Sequence, residues 1–202
     1  AALSATGNRK HQAGFEPLVP GFVRAPYNDI EALKTIAENR SDIVAVMLEP
    51  IQGEGGVVVA EEGYLHAVAA LCAQRGWLFM VDEVQTGMGR LGTLFGYQKF
   101  GLDPDVMVLG KALGAGTPLG AFLCKERFSV LEAGDHGSTF GGNALTTAAG
   151  WAALKYIIEN DVSSECSDAG KYLKSMLDGL SARHSNIVDI RAVSYTHLTL
   201  PT

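Results

Sequence analysis

The 202-residue chain reads as an α/β protein with a largely parallel sheet, on three observations. Short runs of consecutive apolar residues recur along it, the pattern of strands buried on both faces. Between them lie stretches whose apolar residues repeat at i, i+3, i+4 and i+7, the spacing of helices packed against such a sheet. Acidic residues and a lysine stand where the apolar runs end, and in sheets of this kind ligands bind beyond the carboxyl ends of the strands.

Residues 1–28 are turn-rich, with Pro17, Pro20 and Pro26. A short helix is expected over 29–39, capped by Asn28 or Asp29, with Ile30, Leu33 and Ala37 on one face. The run DIVAVMLEP (42–50) ends at Pro50 and predicts a strand buried on both faces. A helix follows in which Leu65, Val68, Ala69 and Cys72 share a face and Gly76 supplies the C-cap. WLFMVDEV (77–84), DVMVLG (105–110) and LGAFLCK (119–125) predict three more buried strands. Asn143 can cap a helix through about Glu159 with Leu145, Ala148, Ala149, Ala152 and Tyr156 inward, and a last helix carries Leu173, Met176, Leu177 and Leu180.

Composition narrows the function. With 47% hydrophobic and 19% charged residues, the chain can build a core and is neither disordered nor membrane-like. A net charge of −6 without a basic cluster argues against nucleic acid, and no run of roughly 18 apolar residues argues for a membrane span. Cys72, Cys124 and Cys166 are far apart and lack metal-ligand spacing, so reduced thiols in a cytoplasmic protein and no metal are expected.

The chemistry concentrates in two places. Lys111 follows the strand-like DVMVLG and precedes glycines, and Asp82 ends an earlier strand in MVDEVQTGMGR (80–90). Desolvation at a strand end would lower the pKa of a lysine and free its amine to attack a carbonyl. A carboxylate at a neighbouring strand end could keep a heteroaromatic ring nitrogen protonated, and together the two groups are the protein's share of pyridoxal-phosphate catalysis. A lysine in a glycine-containing loop is also commonly a solvated surface cation, and an aspartate closing a strand commonly a turn former.

The wider pattern resembles the class III (omega-type) pyridoxal-phosphate aminotransferases. Four motifs carry the resemblance in the family's order: EPIQGEGG (49–56), DEVQTG (82–87), GKAL (110–113) and HGSTFGGN (136–143). It implies the fold type I architecture of pyridoxal-phosphate transferases, and within the family it is closest to acetylornithine and succinylornithine aminotransferases, then ornithine aminotransferase. By the same resemblance, residues 1–160 would be part of the cofactor-binding large domain, and 161–191 a connecting helix and the start of a small C-terminal domain. The sequence would then be an internal fragment: it opens AALSATGNRK without methionine or leader, and its last residues, 192–202, break the family pattern and are expected to be non-native and disordered or loosely packed. Lacking the family's upstream phosphate cup and its substrate-binding and gating arginines, the isolated chain is expected to bind cofactor poorly and to turn over nothing.

The resemblance also implies roles. Lys111 would form the imine with pyridoxal 5'-phosphate and relay the proton between substrate and cofactor carbons. Asp82 would pair with the pyridinium nitrogen, Val84 pack on the ring and Gln85 bond its phenolic oxygen, while Glu83 points the other way and reads as structural. Ser138 and Thr139, in a glycine-rich loop near a helix N-terminus, would bind phosphate, Thr139 that of the partner subunit in a homodimer with shared active sites. Glu54 would be the substrate-side acid. His136 has no assigned role, and Arg90 reads as structural or at the surface. The reaction implied is a two-stage amino transfer from an ω-amino donor, N-acetylornithine first, to a 2-oxo acid, 2-oxoglutarate, in arginine biosynthesis.

Other readings stay open at this point. An ornithine, aminobutyrate or succinyldiaminopimelate aminotransferase, an aminomutase or a decarboxylase would share the motifs. A non-catalytic fragment would too. A nucleotide-binding module does not fit, because Lys111 precedes its glycines where a P-loop lysine ends them.

Overall fold

Local caps explain where most of the expected helices begin and end. The computed structural model describes residues 2–192 and 198–199. Two single-turn helices, α1 (Ala2–Ala5) and α2 (Arg9–Gln12), lie within the turn-rich opening. In α3 (Ile30–Asn39) the Asp29 carboxylate receives the Ala32 N–H at 2.9 Å, and Leu33 and Ala37 face the core. The strands β1 (Ala45–Leu48), β2 (Ile51–Gln52) and β3 (Val58–Val59) lead to α4 (Tyr64–Arg75). Gly76 ends α4 with a left-handed backbone, φ 69°, a conformation that costs glycine little. Then come β4 (Leu78–Asp82), the short α5 (Gly96–Lys99), β5 (Val106–Leu109), a 3₁₀ turn at Lys111–Gly114, and β6 (Ala121–Cys124). Asn143 caps α6 (Ala144–Glu159), receiving the Leu145 and Thr146 N–H groups at 3.1 Å, and α7 (Val162–Ser181) and the paired β7 (Arg191–Ala192) and β8 (Leu198–Thr199) follow.

The sheet runs β1-β4-β5-β6. β1, β4 and β5 are parallel and β6 is antiparallel, so the largely parallel α/β layer is present. Because strand side chains alternate, the register brings Val46, Leu48, Phe79, Val81, Met107 and Leu109 to one face. There they join Leu33, Leu65, Val68 and Cys72 of α3 and α4 in the main core. Burial pushes the Cys72 thiol up to about 11, so it behaves as a small hydrophobe.

Several expectations need correction. The 42–50 run is not a strand buried on both faces: β1 spans only Ala45–Leu48, lies at a sheet edge, and leaves Val44 and Met47 exposed. The 119–125 strand is the opposite edge, with Phe122 and Leu123 exposed. β4 stops at Asp82 instead of continuing to Val84, because the chain turns there. The inner face of α6 is also different from the one expected. Leu145 and Tyr156 point outward, whereas Thr146 and Gly150 are buried and Leu154 and Ile157 pack on the core. α6 is apolar nearly all round, so periodicity could not choose its face; close approach at Gly150 does. In α7, Met176 and Leu180 are exposed while Leu173 and Leu177 are half-buried. The expected foreign tail lies outside the described residues at 193–197 and 200–202.

A compact monomer of this mass exposes roughly 9,100 Å². This chain exposes 12805 Å², with Phe122 on β6 and Trp151, Tyr156 and Ile158 on α6 among the uncovered apolar groups.

Candidate active site

Parallel pairing decides which side chains meet at the carboxyl edge. Leu48 pairs with Val81 and Asp82 with Val108, so Glu49 and Asp82, each next along its strand, stand side by side, and Lys111 lies just beyond the end of β5. Gly110 is extended, and Lys111 enters the following 3₁₀ turn with φ 44°, a left-handed backbone that is strained for a residue with a β-carbon. Its Nζ donates to Gln85 Oε1.

Gln85 sits on the turn that follows β4. The Val84 N–H donates to Asp82 Oδ1 at 2.9 Å, closing the first step of that turn. Glu83 points the other way and is 1% exposed; its carboxylate accepts from Thr86 Oγ1 at 2.5 Å, Gly96 N–H at 2.9 Å and Tyr97 N–H at 2.6 Å. Three donors on one buried carboxylate fasten the 83–86 turn to the start of α5, the structural role read from its strand position.

A crevice of about 240 Å³ opens here, lined by Glu54, Val84, Gln85, Arg90, Lys111 and Ala112. The structure therefore gathers Glu54, Val84, Gln85 and Lys111 around one space; Asp82 ends β4 two residues before Val84 and is not part of the crevice lining. Ser138 and Thr139 are elsewhere: they are exposed in the loop before α6, where Ser138 Oγ receives the Gly141 N–H at 3.0 Å. His136 is exposed as well. Arg90, read as structural or at the surface, is part of the crevice wall.

Lys111 is exposed, which corrects the expectation that the strand end would desolvate it; the described residues around it leave its amine open to water. Glu49 is the residue that sequence reasoning missed. Burial pushes its carboxyl up, the Gly53 amide pulls it down, and Asp82 adds to the upward push, with Lys111 and Glu54 as weaker charged neighbours. The signal was present: Glu49 closes the apolar run of β1 as Asp82 closes that of β4.

A second hollow of about 230 Å³ lies at the opposite end of β5, around Asp103, Asp105 and Lys125. Its charges pair with one another: Lys125 reaches Asp103 at 2.7 Å and Asp105 at 3.4 Å. Charges already paired leave little to recognise a ligand, and no cluster of three or more His, Cys, Asp or Glu suited to a metal occurs among the described residues.

The chain's similarity to known proteins agrees with this geometry. A family model described as aminotransferase class-III matches residues 1–195. The acetylornithine aminotransferase of Gloeobacter violaceus is 47% identical over 188 residues, which are 93% of this chain and 46% of that protein. Among solved structures, the ornithine aminotransferase of Toxoplasma gondii superposes with a TM-score of 0.87 at 35% identity, over 95% of this chain and 46% of that one. The acetylornithine aminotransferase of Elizabethkingia anophelis gives 0.82 at 39% identity, over 89% and 45%. The chain thus spans about half the length of the curated relatives it matches.

Class III aminotransferases use pyridoxal phosphate, and the residues present suit it. A primary amine and the amide bonded to it line an open crevice, and a carboxylate ends the adjacent strand at the same edge of the sheet. A family match that runs through nearly the whole chain, on the same fold, leaves a single membership: the chain belongs to the pyridoxal-phosphate-dependent class III aminotransferases.

Proposed function

We propose that the protein carrying this chain transfers an amino group from an ω-amino donor, N-acetylornithine, to 2-oxoglutarate, in cytoplasmic arginine biosynthesis. The observation that carries the reading is Lys111: a lysine held in a left-handed turn at the carboxyl edge of a parallel sheet, bonded to Gln85 and adjacent to Asp82. The relatives named acetylornithine aminotransferase support the choice of donor.

When bound, pyridoxal phosphate would supply a carbonyl for the amine and a ring that takes up the electron pair left on the donor's carbon when its proton is removed. Lys111 Nζ would hold the cofactor covalently, and its amine stands where it would serve as the base for the proton on the carbon bearing the donor's amine. Asp82 would keep the ring nitrogen protonated, Val84 would pack against the ring and Gln85 would bond its phenolic oxygen. Glu54, at the crevice mouth, faces the substrate. Ser138 and Thr139 would bind phosphate, Thr139 across a homodimer interface; their exposure outside the crevice lining and the uncovered apolar surface of α6 and β6 support that arrangement. Residues 1–160 then belong to the cofactor-binding domain and 161–191 to the connecting helix and the start of a small domain, in keeping with α6 ending at Glu159 and α7 starting at Val162.

Borohydride reduction of the full-length, cofactor-loaded protein followed by peptide mapping should label Lys111. Assays with acetylornithine, ornithine and aminobutyrate, each with 2-oxoglutarate, should favour the first. Label on another lysine removes the assignment, and preference for another donor replaces the substrate.

A further inference from the structure

Glu49 has no place in the roles above, yet it is tied to the loop that carries Glu54 to the crevice. Its backbone is held first: the Tyr27 hydroxyl donates to the Glu49 and Pro50 carbonyls at 2.9 and 3.0 Å. Its Oε2 then receives the Gly53 N–H at 2.9 Å. Gly53 opens the tip of the β2–β3 hairpin, and its carbonyl accepts the Gly56 and Val57 N–H groups at 3.1 and 3.0 Å. Val57 closes that tip at φ 54°, a costly backbone for a β-branched residue, and it is buried with Ile51 and Leu91. A tip strained in this way persists only where its surroundings over-determine it.

Gly53 also leans on the catalytic side. A β-carbon there would come within 3.0 Å of Gln85 Cγ, and Gln85 in turn accepts from Lys111. Glu54 is the next residue, exposed at the crevice mouth. One line of contacts therefore runs from Glu49 through Gly53 to Gln85 and Lys111, and Glu54 stands directly beside it.

We propose that Glu49 is a positioning residue for amino-donor binding: its carboxylate holds the Gly53 amide and so sets where Glu54 stands relative to Lys111. This rests on the reading of Glu54 as the substrate-side acid. Reach is what matters, because Tyr27 fixes the backbone and a side chain one methylene shorter cannot follow Gly53. A glutamine reaches as far and still offers an oxygen to the amide.

The test uses Glu49→Asp and Glu49→Gln in the full-length, cofactor-loaded protein, with amide hydrogen exchange and steady-state kinetics. In Glu49→Asp the Gly53 amide should exchange about tenfold faster or more, as expected for loss of a hydrogen bond to a charged group, while Val46–Leu48 amides are unchanged. The KM for the amino donor should rise by about the same factor with a smaller change in kcat, the mark of lost substrate binding. Glu49→Gln should restore both. Unchanged Gly53 exchange in Glu49→Asp overturns the proposal, as does a Glu49→Gln variant as defective as Glu49→Asp. The exchange readout needs no turnover: if Gly53 behaves as expected but the unaltered protein transfers no amino group, the functional reading fails and the tie to Gly53 stands.

Discussion

Two carboxylates, one at each end of the same sheet, face opposite electrostatic outcomes. At the amino end, burial pushes the Asp105 carboxyl up, but the Phe79 amide at 3.1 Å, Arg127 at 2.9 Å and Lys125 together hold it below its usual range. At the carboxyl end, burial pushes the Glu49 carboxyl up by more than the Gly53 amide pulls it down, and Asp82 adds a smaller push in the same direction. Both accept a backbone amide; only Asp105 is within ion-pair distance of cations. The amino end is internally neutralised with ordinary backbone. The carboxyl end brings Glu49 and Asp82 side by side and places Lys111 and Val57 in left-handed backbone. Strained backbone and a shifted carboxyl of this kind cluster at functional sites.

The largest effect that sharpens this contrast is at Asp82. Asp82→Asn in the full-length protein should leave the cofactor bound and the unfolding midpoint within a degree or two, yet lower turnover on the order of 10²–10³-fold, as for other preorganised electrostatic partners. Absorbance of the bound cofactor with steady-state rates measures it. Near-normal turnover would place Asp82 among the structural carboxylates.

An intermediate effect is expected at Gly150, where α6 rests on the turn that carries Lys111. A β-carbon there would meet Leu119 Cδ2 at 2.4 Å and the Leu113 carbonyl at 3.0 Å. Gly150→Ala should cost about 1–3 kcal/mol by overpacking and displace the Lys111–Gly114 turn, lowering activity as well as stability. Urea unfolding and rate measurements on one preparation decide it. Lost stability with full activity would show that the turn is insulated from the helix.

The smallest effects have opposite signs. The lowered carboxyl of Asp105 contributes stability above the unfolded aspartate value of about 3.9 and loses it as pH falls through the folded one. Asp105→Asn should therefore destabilise at pH 7 and match the unaltered protein in acid. The raised carboxyl of Glu49 contributes stability below the unfolded glutamate value of about 4.3 and loses it as pH rises through the folded one. Glu49→Gln should therefore stabilise at pH 7, by at most about 1 kcal/mol because solvent screens this partly exposed group. Thermal unfolding from pH 2 to 8 tests both; the same sign at both ends would erase the contrast.

Much of the fold and half of the site were legible in the residues themselves. Asp29, Gly76 and Asn143 cap or close helices by contacts with residues a few positions away. Motif order located Lys111, Gln85, Val84 and Glu54, and the crevice gathers all four. Strand alternation suggested that Glu83 points away from Asp82; it does, with three buried hydrogen bonds, although β4 ends one residue before it. Such features depend on short stretches of chain, where backbone geometry and neighbouring side chains leave few choices.

The rest belonged to tertiary structure. An apolar run says that a strand wants burial but not how many neighbours cover it, so β1 and β6 became edges against expectation. The face that α6 turns inward is chosen by the close fit of Gly150 over Leu119, a contact between distant segments. The adjacency of Glu49 and Asp82 arises from the lateral register of two strands separated by a whole helix, and packing sets that register. The sequence by itself determined the elements, their ends and the chemical groups; the pairing of those ends decided which charges share a crevice, because long-range register has no local code.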